Sequence, residues 1–191
     1  MRVIAFNGSP RRNGNTAILL NIALDELKKE GIDTELYQLG EKNISGCTAC
    51  YRCLRSRNAR CAIEDDALNE YLERMLKSDG ILIGSPTYFC DVSAATRAFL
   101  ERTGFVAQAN GFLLKRKVGA GVVAVRRGGA IQALNSINLY LYYQQVINPG
   151  SNYWTFGLGR EPGDALNDEE GIQSIKTLAQ NMVWLLKKLK T

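Results

Sequence analysis

The 191-residue chain contains no histidine. That absence excludes Ser-His-Asp and Cys-His nucleophilic sites and zinc sites built on imidazole. Any chemistry has to come from other side chains or from a cofactor. No apolar run approaches the roughly 20 residues of a membrane span, so no membrane association is expected. The apolar opening "MRVIAF" gives way to Asn7-Gly8, too short for the core of a signal peptide. Internal repeats, linkers and low-complexity segments are also missing. These absences lead to the expectation of one cytoplasmic domain spanning 1–191, long enough for a sizeable core. In that compartment thiols stay reduced, which makes stable disulfides a poor account of the five cysteines.

The net charge is +5, and the excess is concentrated. Arg52, Arg55, Arg57 and Arg60 sit among cysteines, and Lys115, Arg116 and Lys117 form a second cluster. Nucleic-acid binding calls for a broader basic face with aromatic partners. Small anionic ligands fit this distribution better, and no nucleic-acid partner is expected.

β-branched apolar segments alternate with segments of helical period. "RVIAFN", "DTELYQL", "GILIGSP", "VGAGVVAV" and "NYWTFG" read as five strands, the third stopped by Pro86. Helices are expected from Asn15 or Thr16 to Lys29, ended by Gly31 at C′; from about Asp66 to Lys77; from near Ser93, capped by Asp91 or Ser93; over "AIQALNSINLYLYYQQV"; and from near Asp168. The last should bury Ile172, Ile175, Leu178, Met182, Leu186 and Leu189. This alternation implies a parallel sheet with helices on both faces. Leu39 to Glu64 and Gly104 to Lys117 read as irregular insertions over the sheet.

Ligands of open α/β sheets bind beyond the C-terminal ends of the strands. There the first strand runs into "NGSPRRNGNT". Ser9 and Thr16 offer hydroxyls, Asn13 and Asn15 amides, Arg11 or Arg12 charge, and the following helix its free N–H groups, all suited to an anion. Gly8 and Gly14 let the backbone curl tightly. The alternative is a plain polar loop before a capped helix. The loop is not a Walker P-loop, because five residues separate the glycines and Asn15 stands in place of lysine. A match to G-x-G-x-x-G/A at Gly119, Gly121 and Ala124 falls inside a strand and is discarded. After the third strand, Pro86, Thr87, Tyr88, Phe89 and Cys90 could flank a planar ligand. After the fourth, "RRGGA" combines close backbone approach with positive charge. Ordinary packing is the competing account of Tyr88 and Phe89.

The segment "GCTACYRCLRSRNARC" holds Cys47, Cys50, Cys53 and Cys61 as C-x2-C-x2-C-x7-C. A [4Fe–4S] cluster needs four thiolates around a small cube. This spacing offers three on successive tight turns and a fourth from a nearby loop, among arginines that stabilise thiolate. Structural zinc, redox-active or inert thiols, and a buried helical stripe remain alternatives. Cys90 lies in another loop and is not counted as a ligand.

"GSPRRNGNT", "GSPTYFCDVSAATRAFLER" and "VAVRRGGA" together resemble the flavodoxin-like NAD(P)H-dependent FMN reductases, over nearly the whole chain. Within that family the cysteine segment most resembles the iron-sulfur flavoproteins. The resemblance implies a flavodoxin-like three-layer α/β sandwich, with a five-stranded parallel sheet in the order 2-1-3-4-5 and a cysteine-rich insertion at about 40–64. It implies FMN, its phosphate on Ser9, Arg11, Asn13, Asn15 and Thr16. The isoalloxazine would lie against Pro86, Thr87, Tyr88 and Phe89, with Arg127, Gly128 and Gly129 on its far side. NADH or NADPH would be the reductant, and a flavin, quinone or protein the acceptor. No protein residue is then required as a catalyst, because flavin N5 takes hydride directly from a nicotinamide. The subunits would form dimers or tetramers. Two other functions are compatible with the residues: an electron carrier serving only protein partners such as ferredoxin, and a non-catalytic nucleotide-binding module.

Overall fold

The computed structural model of the chain describes residues 1–190, the side chains of residues 41 and 42 excepted. Strands β1 (Arg2–Asn7), β2 (Asp33–Gln38), β3 (Gly80–Tyr88), β4 (Asp91–Val92), β5 (Val118–Val125) and β6 (Phe156–Leu158) form the sheet. Its path is β2-β1-β3-β5-β6, all parallel, and β4 pairs antiparallel with β3 off that path. The parallel strands therefore run in the expected order 2-1-3-4-5, with one unexpected two-residue strand added. Helices α1 (Asn15–Lys29), α2 (Arg52–Ser56), α3 (Leu68–Lys77), α4 (Ala94–Ala109), α5 (Ala130–Tyr143) and α6 (Glu169–Leu189) complete the chain, with 3-10 turns at Leu39–Lys42 and Asp164–Asn167. Among the described residues, no helix is long and apolar enough to cross a membrane.

Alternation along the strands sorts the core into two layers. Val3 and Ala5 of β1 and Leu82 of β3 pack with Leu19, Leu20 and Leu24 of α1 and Ile175, Leu178 and Met182 of α6. Ile4 and Phe6 of β1 and Ile81 and Ile83 of β3 face the other way, toward Leu68 and Met75 of α3, Phe99 of α4 and Ile137 of α5. β1, β3 and β5 are buried over most of their lengths, as expected for strands covered on both faces. Gly31 (φ +74°) closes α1: its N–H donates to Lys28 O, and Ile32 N–H donates to Leu27 O, the bond pattern of a Schellman cap.

Several boundaries differ from the sequence expectation. Pro86 does not stop β3, which continues to Tyr88. β1 has ended opposite Gly84, so beyond it β3 has a parallel neighbour on the β5 side only, and a strand edge tolerates proline. Gly104 is not the start of an irregular stretch but part of α4. A Cβ there would come within 3.2 Å of the Tyr140 ring, so its smallness serves helix packing. Leu189 is exposed and Ile172 only half-buried. α6 starts where expected, and Asp168 caps it by accepting from Gly171 N–H.

Candidate functional site

β1, β3 and β5 end together at the C-terminal edge of the sheet, and the structure ties the loops beyond them to one another. Gly8 N–H donates to Gly84 O at 2.8 Å. Ser93 Oγ donates to Gly8 O at 2.6 Å, and Ser93 also caps α4 by accepting from Thr96 N–H. Ser93, not Asp91, is therefore the cap; the Asp91 carboxylate instead accepts from Arg97 and Ser136. Gly8 has no room for a side chain, because a Cβ would overlap Thr96 Oγ1 and lie 2.9 Å from Gly84 O. Gly129 (φ +88°) seats the third loop: its Cβ position lies 2.8 Å from Cys90 Cα and 2.9 Å from Thr87 Cγ2.

Ser9 and Thr16 are buried in the first loop. Ser9 N–H donates to Asn7 Oδ1 and Arg11 N–H to Ser9 Oγ. Gln38 accepts from Asn7 Nδ2 and donates to Ser9 O. Asn7 and Gln38 thus shape the loop although neither stood out in the sequence. The N–H groups of Asn15, Thr16 and Ala17 precede the first helical bond, Ile18 N–H to Gly14 O, and present donors at a helix N-terminus. The side chain of Asn15 is committed elsewhere. It donates to Glu161 O and accepts from the N–H groups of Gly163 and Ala165, so what it offers an anion is its backbone. Arg11 and Asn13 are exposed beside the loop.

Phe89 and Cys90 form a two-residue turn between β3 and β4, both with positive φ (+47° and +61°). Such a turn ordinarily takes Gly or Asn. Here it holds Phe89 fully exposed, and strained conformations of this kind cluster at ligand sites. Thr87 Oγ1 is buried with no hydrogen-bond partner in the protein, so the wall of this edge carries an unmatched polar atom. Arg127 and Gly128 lie exposed on the opposite loop. Ligand-ready N–H groups, an orphaned hydroxyl and small residues at the closest approaches make this edge fit a flavin mononucleotide.

Replacing Ser93 with alanine removes the α4 cap and the bond to Gly8 O together. We expect a loss of about 1–2 kcal/mol, read as a lower urea midpoint, with weaker FMN binding in the same protein.

The cysteine segment lies beside this edge. Cys47, Cys50, Cys53 and Cys61 line one pocket with Ile63, Arg102 and Phe105, and all are free thiols. They are not a buried helical stripe. Only Cys53 of the four lies in a helix, α2, and none is buried. The backbone is wound tightly, with positive φ at Ala49, Tyr51, Arg57 and Ala59. Among the described residues, no three His, Cys, Asp or Glu side chains are gathered closely enough to hold a metal ion as they stand. The donors nevertheless fit a thiophilic centre in kind. The Arg52 N–H, opposed by burial and aided by Thr48, holds the Cys50 thiol below its ordinary pKa. Burial, with the neighbouring Cys61 and Cys47, pushes Cys53 up; a cation among the sulfurs would reverse that repulsion.

The segment hangs on α4 and α3. Asn69 accepts from Cys61 N–H and donates to Cys61 O and Ile63 O; Asn110 accepts from Ala59 N–H. Arg102, fully buried, donates to Cys61 Sγ. It sits six residues beyond Thr96, about 9 Å along the helix axis, so one rigid element connects both sites. A cleft of roughly 540 Å³ lies between them, lined by Pro10, Gly46, Arg97 and Glu101 among others.

The chain is similar to several known proteins. An iron-sulfur flavoprotein of Methanocaldococcus jannaschii is 35% identical over the full length of both chains. One of Archaeoglobus fulgidus is 34% identical, covering 96% of this chain and 94% of its own. Among solved structures, RosB with a bound 8-demethyl-8-formylriboflavin-5′-phosphate intermediate superposes with a TM-score of 0.79 at 21% identity, covering all of this chain and 80% of that one. A flavodoxin from the domain Archaea superposes at 0.64 and 13% identity, covering 98% and 99%. These two likenesses establish the flavodoxin-like fold. The family model for NADPH-dependent FMN reductase matches residues 1–161, and the chain therefore belongs to that family of flavin oxidoreductases.

Proposed function

We propose that this chain binds FMN at the C-terminal edge of its sheet, takes electrons from NADH or NADPH, and passes them to a flavin, quinone or protein acceptor by way of a [4Fe–4S] cluster on the cysteine segment. The observation that carries the reading is the convergence of three loops on one edge: Gly8 hydrogen-bonded to Gly84 and Ser93, and Gly129 packed closely against Thr87 and Cys90. Ser9, Arg11, Asn13 and Thr16, with the Asn15 N–H, would hold the phosphate. Pro86, Thr87, Tyr88 and Phe89 would face one side of the ring system, and Arg127, Gly128 and Gly129 the other. When bound, FMN supplies hydride acceptance at N5 and release of electrons singly or in pairs. The chain's own work is to bind and orient both rings. Cys47, Cys50, Cys53 and Cys61 would be the cluster's ligands. Exposed Phe89, Leu139 and Tyr142 suit contact between copies in a homodimer or homotetramer.

A second reading is favoured by the exposed Arg52, Arg55, Arg57 and Arg60 around the cysteines. They would form a docking surface for an acidic protein such as ferredoxin, with no nicotinamide turnover. Anaerobic purification followed by a visible spectrum, iron and sulfide analysis and assay with NADH, NADPH and reduced ferredoxin tests both. Flavin bands with iron, sulfide and NAD(P)H oxidation are expected. Flavin without iron would remove the cluster and leave the FMN site. Reduction by ferredoxin alone would select the second reading, and a colourless protein that does not take up FMN would overturn both.

A further inference from the structure

Arg102 lies on α4 beneath the cysteine segment with 1% of its surface exposed. Burying a guanidinium costs several kcal/mol unless it is paired and its donors are satisfied. The side chain of Asp66, 4% exposed, supplies the opposite charge. One carboxylate would be enough for neutrality, yet Arg102 also reaches three other acceptors. Nη1 donates to Ser45 O at 3.2 Å, Nη2 to Ile63 O at 3.0 Å, and Nε to Cys61 Sγ at 3.3 Å. Ser45 precedes the first cysteine of the segment and Ile63 follows the last. A single planar fork therefore clasps both ends of the cysteine loop and points its Nε–H at one sulfur.

A neutral thiol is a weak acceptor, whereas a thiolate facing a guanidinium N–H makes a charge-assisted bond. Hydrogen bonds to the sulfurs are among the protein's levers on the potential of an iron-sulfur cluster. They withdraw electron density and stabilise the more negative, reduced form. Cys61 is also the cysteine separated from the others by the seven-residue gap, and so the one that most needs an anchor.

We infer that Arg102 is a positioning residue for the cluster: it fixes Cys61 as the fourth ligand and, through Nε–H to Sγ, raises the cluster's reduction potential. The inference rests on the cluster reading above. A purely structural ion pair with Asp66 would do neither.

Arg102→Lys separates the two roles, because lysine keeps the charge beside Asp66 but has no planar fork to reach sulfur and carbonyls at once. Full-length protein, purified anaerobically, is titrated with dithionite while the reduced cluster is followed by EPR and the flavin by absorbance. We expect Arg102→Lys to retain FMN and its flavin potential. Its cluster couple should shift negative on the order of tenfold in the oxidised-to-reduced ratio, about 59 mV for one electron, and iron should pass to a chelator faster. A fully loaded variant with an unchanged cluster potential would overturn the inference. Wild-type protein without iron and sulfide would overturn the cluster reading itself, a distinct result seen before any variant is made. A variant that does not fold is bypassed by growing the wild type on arginine labelled with ¹⁵N at Nε. Pulsed EPR of the reduced cluster is then expected to show a ¹⁵N coupling, and its absence overturns the inference.

Discussion

Gly8→Ala is expected to weaken FMN binding roughly 10- to 100-fold, the equivalent of about 1.4–2.8 kcal/mol. The added methyl would overlap Thr96 Oγ1 and lie 3.1 Å from Thr96 Cβ and 2.9 Å from Gly84 O. Neither neighbour is the far end of a flexible side chain. Thr96 is buried in the first turn of α4, and Gly84 is sheet backbone. Overpacking of this kind typically costs 1–3 kcal/mol. Here the part of the molecule freest to yield is the first loop itself, whose N–H groups and hydroxyls would hold the phosphate. The strain should therefore appear as displaced donors more than as global unfolding. Quenching of FMN fluorescence on titration with flavin-free protein measures the loss, and a urea melt of the same sample separates affinity from stability. A second substitution supplies the control. Thr96→Ala on the Gly8→Ala background removes the overlapping hydroxyl but leaves the Gly84 carbonyl in place, so it should restore part of the affinity and not all of it. Unchanged affinity in Gly8→Ala would show that this loop does not carry the phosphate.

The alternation of apolar strands with helical segments made the parallel, doubly covered sheet legible, because both faces of β1, β3 and β5 are covered and their residues read as continuous apolar runs; the strand order came from the family resemblance. Local chemistry was legible too: Gly31 as the end of α1, Asp168 as the start of α6, and the cap of α4 narrowed to Asp91 or Ser93, of which Ser93 is the one. What was not legible depends on partners distant in sequence. The side chain of Asn15 looks like an anion donor until the turn at 161–165 folds back onto it. Asn7 and Gln38 shape the first loop across 31 residues. Arg102 reads as an ordinary charge in a helix, yet it is the largest fully buried side chain. A signal was available: Arg102 falls on the face of α4 shared by Phe99 and Val106, where helical period demands an apolar residue. The short β6 was overextended because the aromatics of "NYWTFG" mimic strand composition. Tyr153 and Trp154 are in fact exposed, and pairing begins only at Phe156.

Asp66→Ala should destabilise the protein by about 3–5 kcal/mol, the usual cost of removing one partner from a buried ion pair. The loss should fall on the cysteine segment before the sheet. Asp66 makes the Arg102 pair and accepts from the N–H groups of Leu68 and Ser45, so it pins the start of α3 and the residue before Cys47's turn. Without it, the guanidinium stays buried with only neutral acceptors and the sulfur of Cys61. Hydrogen exchange should accordingly rise across 45–66 while β1, β3 and β5 stay protected. Equal exchange in variant and wild type over that segment would refute this. Acid should reproduce the effect in the unaltered chain. Burial would raise the carboxyl pKa of Asp66, but the Arg102 hydrogen bond and charge outweigh it, along with the Leu68 and Ser45 N–H groups, and hold it below the ordinary value of 3.8. A carboxyl depressed in the folded state binds fewer protons there than in the unfolded chain. Its contribution is therefore complete above its unfolded value and is lost as pH falls from there through the depressed folded one. The cysteine segment should loosen in that window, whereas Asp66→Ala, already lacking the group, should lose correspondingly less stability across it.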